Sequence, residues 1–430
     1  MKECSIPYCK VIPTEWQEIP NRYLFEYHSI KVGEHWKDYQ LLSLTTSGVK
    51  EKDINASGGK VPDSYDKYQT VEPDDMIFCL FDLDVSAVFS GLSHHYGMIT
   101  SAYDVVRPNH KLLNQGFSDY WFQYVFSNRY YKMYSKNIRY TITSEMFKAI
   151  KTPIPPMTIQ KKIADFLDKK SAEIDKLIEI ENQQIEKLKE YKQAVITEAV
   201  TKGLDKSAPM KDSGVDWIGE IPEGWKVLPL KCLFETGKGL SITKADLVEE
   251  GIKVISYGQI HAKYNNPVSI DDRLFRFVPE IFLKTNPECL VKESDFIFAD
   301  TSEDVAGSGD FIYIDKEDQI FAGYHSLVLK SKNSANYKYL AYLFMSQYWK
   351  RQIQCKVSGV KLFSISRSIL LSTSVIIPST NEQKEIVGYL DNICNSIDNV
   401  SSIKQKKIDE LNDYKKSLIY EYVTGKKEVV

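Results

Sequence analysis

The sequence predicts an α+β protein with a pseudo-twofold internal duplication: two β-rich globular domains separated by two long helices that pair with each other as a coiled coil. Three observations carry this. Segment 153–201 aligns without a gap onto segment 376–424, at an offset of 223 residues. Residues 12–26, IPTEWQEIPNRYLFE, align onto 221–235, IPEGWKVLPLKCLFE, at an offset of 209. Between these anchors lie stretches rich in Tyr, Phe, Val, Ile and Thr, broken by Gly and Asn turns, which read as short strands. Similarity repeated at a fixed offset means one unit used twice.

The elements follow in chain order. Residues 1–152 form the first globular domain, with β-like runs such as VFSGLSHHYGMITSAYDVVRP and a late helical pattern near DYWFQYVFSNRYYKMY. Residues 153–201 form a central helix whose start is punctuated by Pro156 and Thr158. Its apolar stripe is Ile163, Phe166, Leu167, Ile174, Leu177, Ile178, Ile185, Leu188, Val195 and Ala199, and from Ile178 the steps run 7, 3, 7 and 4, which is heptad spacing. Residues 202–220 are polar, hold one Pro and three Gly, and read as a linker. Residues 221–377 form the second domain, in which VKESDFIF at 291–298 keeps the pattern of VEPDDMIF at 71–78. Residues 378–430 form the last helix, with the stripe Ile386, Leu390, Ile393, Ile397, Val400, Ile408, Leu411, Leu418 and Tyr422. A helix of about 40 residues is a rod of roughly 60 Å. A narrow apolar stripe on such a rod needs a partner, and the other copy is at hand.

Composition excludes several classes. With 430 residues, 43% hydrophobic and 26% charged, the chain is neither disordered nor fibrous. The formal net charge is −3. No region is basic overall: residues 1–152 hold 17 basic and 18 acidic side chains, and residues 206–377 hold 21 of each. Any contact with nucleic acid must therefore use a local basic surface, and the isolated chain is expected to bind DNA poorly and to be poorly soluble. No apolar run spans a bilayer and no signal region opens the sequence, so a cytoplasmic location is expected. The 7 Cys form no CxxC pair. Gly237-Lys238-Gly239 lacks the surroundings of a phosphate loop, and neither HExxH nor GxSxG occurs. The [DNS]PP[YFW] tetrapeptide of adenine-N6 methyltransferases is absent, and Glu190 and Lys192 lie in a charged helix face rather than a nuclease motif. A coiled-coil adaptor whose two domains bind proteins or small ligands is the alternative reading.

The whole chain resembles the specificity subunit of Type I restriction–modification enzymes. The resemblance rests on DSGVDWIGEIPEGW at 212–225 followed by KCLFETGKG, and on the paired PxxxxQKxI…LD…ID…L helices. YGMITSAYDVVRP at 96–108, ISYGQIHAKYNN at 255–266 and DFIFADTSEDVAGSG at 295–309 also look like family segments. The first domain's opening, SIPYCKVIPTEW, departs from the WIGEIP wording of the second. The resemblance implies that each globular domain is a target recognition domain reading one half of an asymmetric bipartite site in double-stranded DNA. The helices would pair antiparallel, set the spacing of the half-sites and dock two modification subunits. Restriction subunits would then join. This chain would perform no chemistry and hold no cofactor or metal; the partner subunits would use S-adenosylmethionine, ATP and Mg.

Base reading needs Arg, Lys, Asn, Gln and similar side chains on exposed loops. In the first domain the candidates are Lys50, Lys52, Asn55 and Lys60, then His94, His95 and Tyr96, then Lys136, Asn137 and Arg139. In the second they are Ser256, Tyr257, Gln259, His261, Lys263 and Tyr264, with Lys356, Ser358 and Lys361. For partner docking and helix pairing the residues are Ile163, Leu167, Ile174, Ile178, Ile185, Leu188, Val195, Ile386, Leu390, Ile397, Ile408, Leu411 and Leu418.

Overall fold

The structure is a computed structural model that describes residues 1–46, 48–54, 64–84, 90–135, 140–332, 337–359 and 361–429. Two compact units divide it. The first is Met1–Asn182 with Gln405–Val430, and the second is Gln183–Lys404. Each globular domain thus takes half of each long helix, and the helices α1 (Met157–Lys202) and α2 (Thr380–Val423) run through both boundaries.

Each unit is built around the same antiparallel four-stranded sheet. In the first, Asp104–Pro108 lies between Phe25–Tyr27 and Met76–Phe78, and Ser90–Leu92 is added outside. In the second, Ser326–Ser331 lies between Phe234–Lys238 and Phe296–Ala299, and Phe311–Tyr313 is added outside. The strands MIF and FIFA are buried along their whole length, as strands covered on both faces must be. Aromatic rings fill the space between sheet and helix: Phe78 meets Phe122 at 4.8 Å and Phe147 at 4.7 Å, and Phe296 meets Phe344 at 5.0 Å. The motif shared by VEPDD and VKESD is a turn. Asp75 accepts the Glu72 N–H at 2.8 Å and Asp295 accepts the Lys292 N–H at 3.0 Å, so each carboxylate closes the loop before the buried strand. The second unit adds a further sheet of Arg276–Val278, Ile252–Ile255, Ile320–Ala322 and Leu290–Val291, which has no four-stranded equivalent among the described residues of the first.

The long helices start alike. Gln160 donates to the Pro155 carbonyl at 2.9 Å and Gln383 donates to the Pro378 carbonyl at 3.0 Å, which explains the repeated Pro…Gln spacing. Tyr120 donates to Asp168 at 2.8 Å, and Tyr342 donates to Asp391 at 2.6 Å, so the LD of each repeat anchors a helix to its own domain. The pairing is antiparallel within each unit. In the first, Ile163, Leu167 and Ile174 share a core with Leu418, Ile419 and Val423. In the second, Val195, Ile196 and Ala199 share a core with Ile386, Leu390 and Cys394. Lysines cross between the helices at positions related by the repeat: Lys415 to Asp175 at 2.7 Å, and Lys192 to Asp398 at 2.7 Å. Lys407 reaches the buried Glu181 at 2.6 Å. The stripe expected from the sequence needs correction. Leu177 and Val400 are exposed, and Ile178, Leu188 and Leu411 are only half-buried, because an unbroken heptad count drifts around the surface of a 3.6-residue helix.

The segment expected as a linker is partly a domain element. Only residues 203–209 connect; Met210–Asp212 then pairs with Glu220–Pro222, and Ile218 and Ile221 enter the second core. The same hairpin opens the chain as Lys2–Ile6 and Cys9–Ile12, with Ile6, Cys9 and Ile12 in the first core. The duplication therefore reaches residue 1, with Tyr8 in the place of Trp217. Each hairpin leads to a tryptophan that packs on a glycine at the end of a long helix, Trp225 on Gly203 and Trp16 on Gly425. Both glycines have positive φ, and a Cβ on Gly425 would lie 2.5 Å from Pro13.

Candidate nucleic-acid interface

In the first unit the hairpin of Leu42–Thr45 and Gly48–Glu51 carries Lys50, and Lys52 follows it directly. The hairpin is held beside the turn that carries His94, His95 and Tyr96. The Met98 N–H donates to the Gln40 carbonyl at 2.8 Å, and His95 Nδ1 lies 3.2 Å from Glu51. Two groups separated by more than forty residues in the sequence therefore form one surface. Lys50, Lys52, His94 and Tyr96 are exposed on it. The structure adds aromatic residues that sequence reasoning missed: Tyr39 lies 5.6 Å from Tyr96, and Trp36 lies under Lys37 at 5.6 Å. Asn55, Lys60, Lys136, Asn137 and Arg139 lie outside the described residues.

In the second unit the short helix Tyr257–Ile260 forms one wall of a cleft of about 720 Å³. The other walls are the loop 301–310 and a two-stranded ladder in which Thr301 and Ser302 pair with Ser364 and Phe363. Ser358 bridges to Ser364 beside that ladder, which brings Lys356 and Ser358 toward the cleft that the 256–264 group lines. Leu362, which is not among the residues expected from the sequence, is exposed at the rim.

Not every candidate is free to read a base. Ser256 is buried, and it shares a capping box with Gln259, whose Oε1 accepts the Ser256 N–H at 3.1 Å, so both are engaged in starting the helix. His261 Nδ1 faces Asp310 at 3.1 Å and its Nε2 faces the Thr301 carbonyl at 2.9 Å. Two acceptors on two ring nitrogens are satisfied together only by the imidazolium. The Asp310 hydrogen bond accordingly holds the His261 pKa above its ordinary value. Burial pushes the Asp310 carboxyl up, but His261 and Lys350, at 2.6 Å, outweigh it and leave it below the usual carboxylate range. Lys356 donates to Ser372 at 2.8 Å, and Tyr264 carries the Arg273 guanidinium 4.7 Å over its ring. Tyr257, Lys263, Ser358 and Lys361 remain open or half-open to solvent. Among the described residues no group of three or more His, Cys, Asp or Glu could hold a metal, and no helix is long and apolar enough to cross a membrane.

The helices present a second kind of surface. Leu177, Ile180 and Tyr414 in the first unit are between 39% and 55% exposed. Their equivalents at an offset of 223 are Val400, Ile403 and Tyr191 in the second unit, between 43% and 65% exposed. Apolar side chains are thus exposed at the same three helix positions of both copies.

Two copies of one sheet-and-helix unit, each with a polar loop surface, define an internally duplicated two-domain protein. The chain belongs to the family described as Type I restriction modification DNA specificity domain, whose profile matches residues 100–190 and 222–413. It is 29% identical over 293 residues to the Type I restriction enzyme MjaVIII specificity subunit of Methanocaldococcus jannaschii, a match that covers 66% of this chain and 64% of that subunit's length. It is 26% identical over 326 residues to the MjaX specificity subunit of the same organism, covering 75% of this chain and 70% of that one. In fold it matches a chain of a type I R-M system with TM-score 0.65 and 14% identity, covering 96% of this chain and 98% of that one. It also matches the HsdS subunit from Thermoanaerobacter tengcongensis with TM-score 0.50 and 14% identity, over 99% of this chain and 100% of the other.

Proposed function

We propose that this chain is the DNA-sequence recognition subunit of a Type I restriction–modification complex and performs no chemistry itself. Each unit reads one half of an asymmetric bipartite site in double-stranded DNA. The observation that carries this reading is the pairing of one conserved scaffold with two unlike loop surfaces. The four-stranded sheets have the same strand order, while the exposed loops bear Lys50, Lys52, His94 and Tyr96 in one unit and Tyr257, Lys263, Ser358 and Lys361 in the other. Different side chains on one frame read different bases. The long helices set the spacing between half-sites, and their repeated exposed apolar sets, Leu177, Ile180 and Tyr414 with Val400, Ile403 and Tyr191, dock two modification subunits. Those subunits supply S-adenosylmethionine-dependent methylation in the cytoplasm, and restriction subunits that use ATP and Mg complete the assembly.

The test is methylated-base sequencing of a cell carrying the complex, with and without this chain. Loss of one bipartite methylation motif with the chain supports the reading; an unchanged methylome refutes it. Substituting the Lys50–Lys52 surface should alter one half-site only, and substituting Ser358 and Lys361 should alter the other.

A further inference from the structure

The two copies open each domain with the same hairpin but finish it differently. In the first unit Tyr8, at the hairpin turn, is stacked on Tyr130 with ring centroids 4.7 Å apart and planes 4° apart. The chain's own tail closes the same end of that unit. Lys427 pairs with Glu421 at 3.5 Å, Lys426 lies 4.4 Å over the Tyr420 ring, and Val429 packs against the core. In the second unit Trp217 stands for Tyr8 and Glu198 stands for Glu421. Trp217 and Tyr348 are exposed. A groove of about 430 Å³ stays open there, lined by Met210, Ile218 and Tyr348 with Glu198, Lys202 and Glu220. The partner of Glu198 is Lys206 at 3.5 Å, whose side chain is 86% exposed, so this pair fills nothing.

The groove continues the face of α1 that carries Tyr191. Glu198 and Lys202 follow Tyr191 by seven and eleven residues, two and three turns along one helical stripe. Tyr191 belongs to the exposed set read above as a docking surface. We infer that the modification subunit seated on the second unit also fills this groove, and that the first unit offers no such extension because the chain's own tail and Tyr130 occupy the place. The first unit shows what chemistry fits: apolar or aromatic side chains against the core, with lysines beside a glutamate and over a tyrosine ring. The open groove answers with Ile218 and Tyr348 as floor and a rim of Glu198, Asp205 and Glu220 against Lys202 and Lys206, which favours a basic, apolar segment. The two docking sites are therefore unequal, and the first modification subunit to bind goes to the second unit. This inference rests on the docking reading of the helices.

Native mass spectrometry of the full chain, titrated with the purified modification subunit of its own system, tests it. The expected wild-type result is a complex with one modification subunit that accumulates before the complex with two. Tyr348→Ser, and separately Trp217→Ala, should weaken one binding step by tenfold or more and remove that preference. Ile180→Ser should weaken the other step. Equal steps in the wild type, or Tyr348→Ser and Trp217→Ala both leaving the two steps unchanged, overturns the inference while the docking reading stands. Failure of the modification subunit to bind the wild-type chain overturns both.

Discussion

Reversing the charge of Asp175 should destabilise the first unit, and reversing Lys415 with it should restore the loss. Lys415 Nζ lies 2.7 and 2.8 Å from the two carboxylate oxygens of Asp175. The side chains are 26% and 58% exposed, so solvent screens the pair. At such a surface the Coulomb attraction is about 1–4 kcal/mol, and desolvation and rotamer ordering leave roughly 0.5–1 kcal/mol net. Asp175→Lys removes this and sets two ammonium groups together, for a cost of about 1.5 kcal/mol. The double variant Asp175→Lys/Lys415→Asp should return to within about 0.5 kcal/mol of the parent. Lys192→Asp with Asp398→Lys should behave alike in the second unit, because that pair is its counterpart in the repeat. Urea unfolding of the full chain followed by circular dichroism gives the four corners of the cycle. The coupling should be near 1 kcal/mol at low salt and should shrink at high salt. A double variant as unstable as the sum of its singles would refute the antiparallel register.

Other outcomes follow from the same structure. Leu390→Ala, at a fully buried position, should cost about 2–4 kcal/mol in the same unfolding assay, whereas Leu177→Ala, on the exposed face, should cost under about 1 kcal/mol. His261 is held above its ordinary pKa by Asp310, so its contribution to stability is full below the usual imidazole range and is lost as pH rises through the raised value. Asp310→Asn should move the His261 titration back down, as read by imidazole proton NMR. In the assembled complex, Lys50→Ala and Lys52→Ala should change the preferred bases of one half-site and leave the other unchanged; a uniform loss of affinity, with the slope of log affinity against log salt lower by about 1, would show instead that they only contact phosphates.

The helices were legible because their constraints are local and repeated. Leu167 and Leu390, Gln160 and Gln383, and Asp168 and Asp391 each have a fixed task, and the chain kept the residue wherever it kept the task. The opening hairpin was not legible, because its core asks only for small apolar groups at alternating places: Ile6, Cys9 and Ile12 in one copy and Val215, Ile218 and Ile221 in the other. The candidate sites divide on the same line. That Ser256 and Gln259 cap a helix was written in their S-x-x-Q spacing. That His261 is pinned was not, because its partner Asp310 lies 49 residues further on. The meeting of Glu51 with His95 likewise depends on the pairing of strands distant in sequence.

The seat of Gly425 against Pro13 and Trp16 in the first unit repeats the seat of Gly203 against Trp225 in the second. The opening segment of each domain is therefore also the clamp on the end of a long helix, so a side chain added at either glycine would disturb a domain and a helix end together.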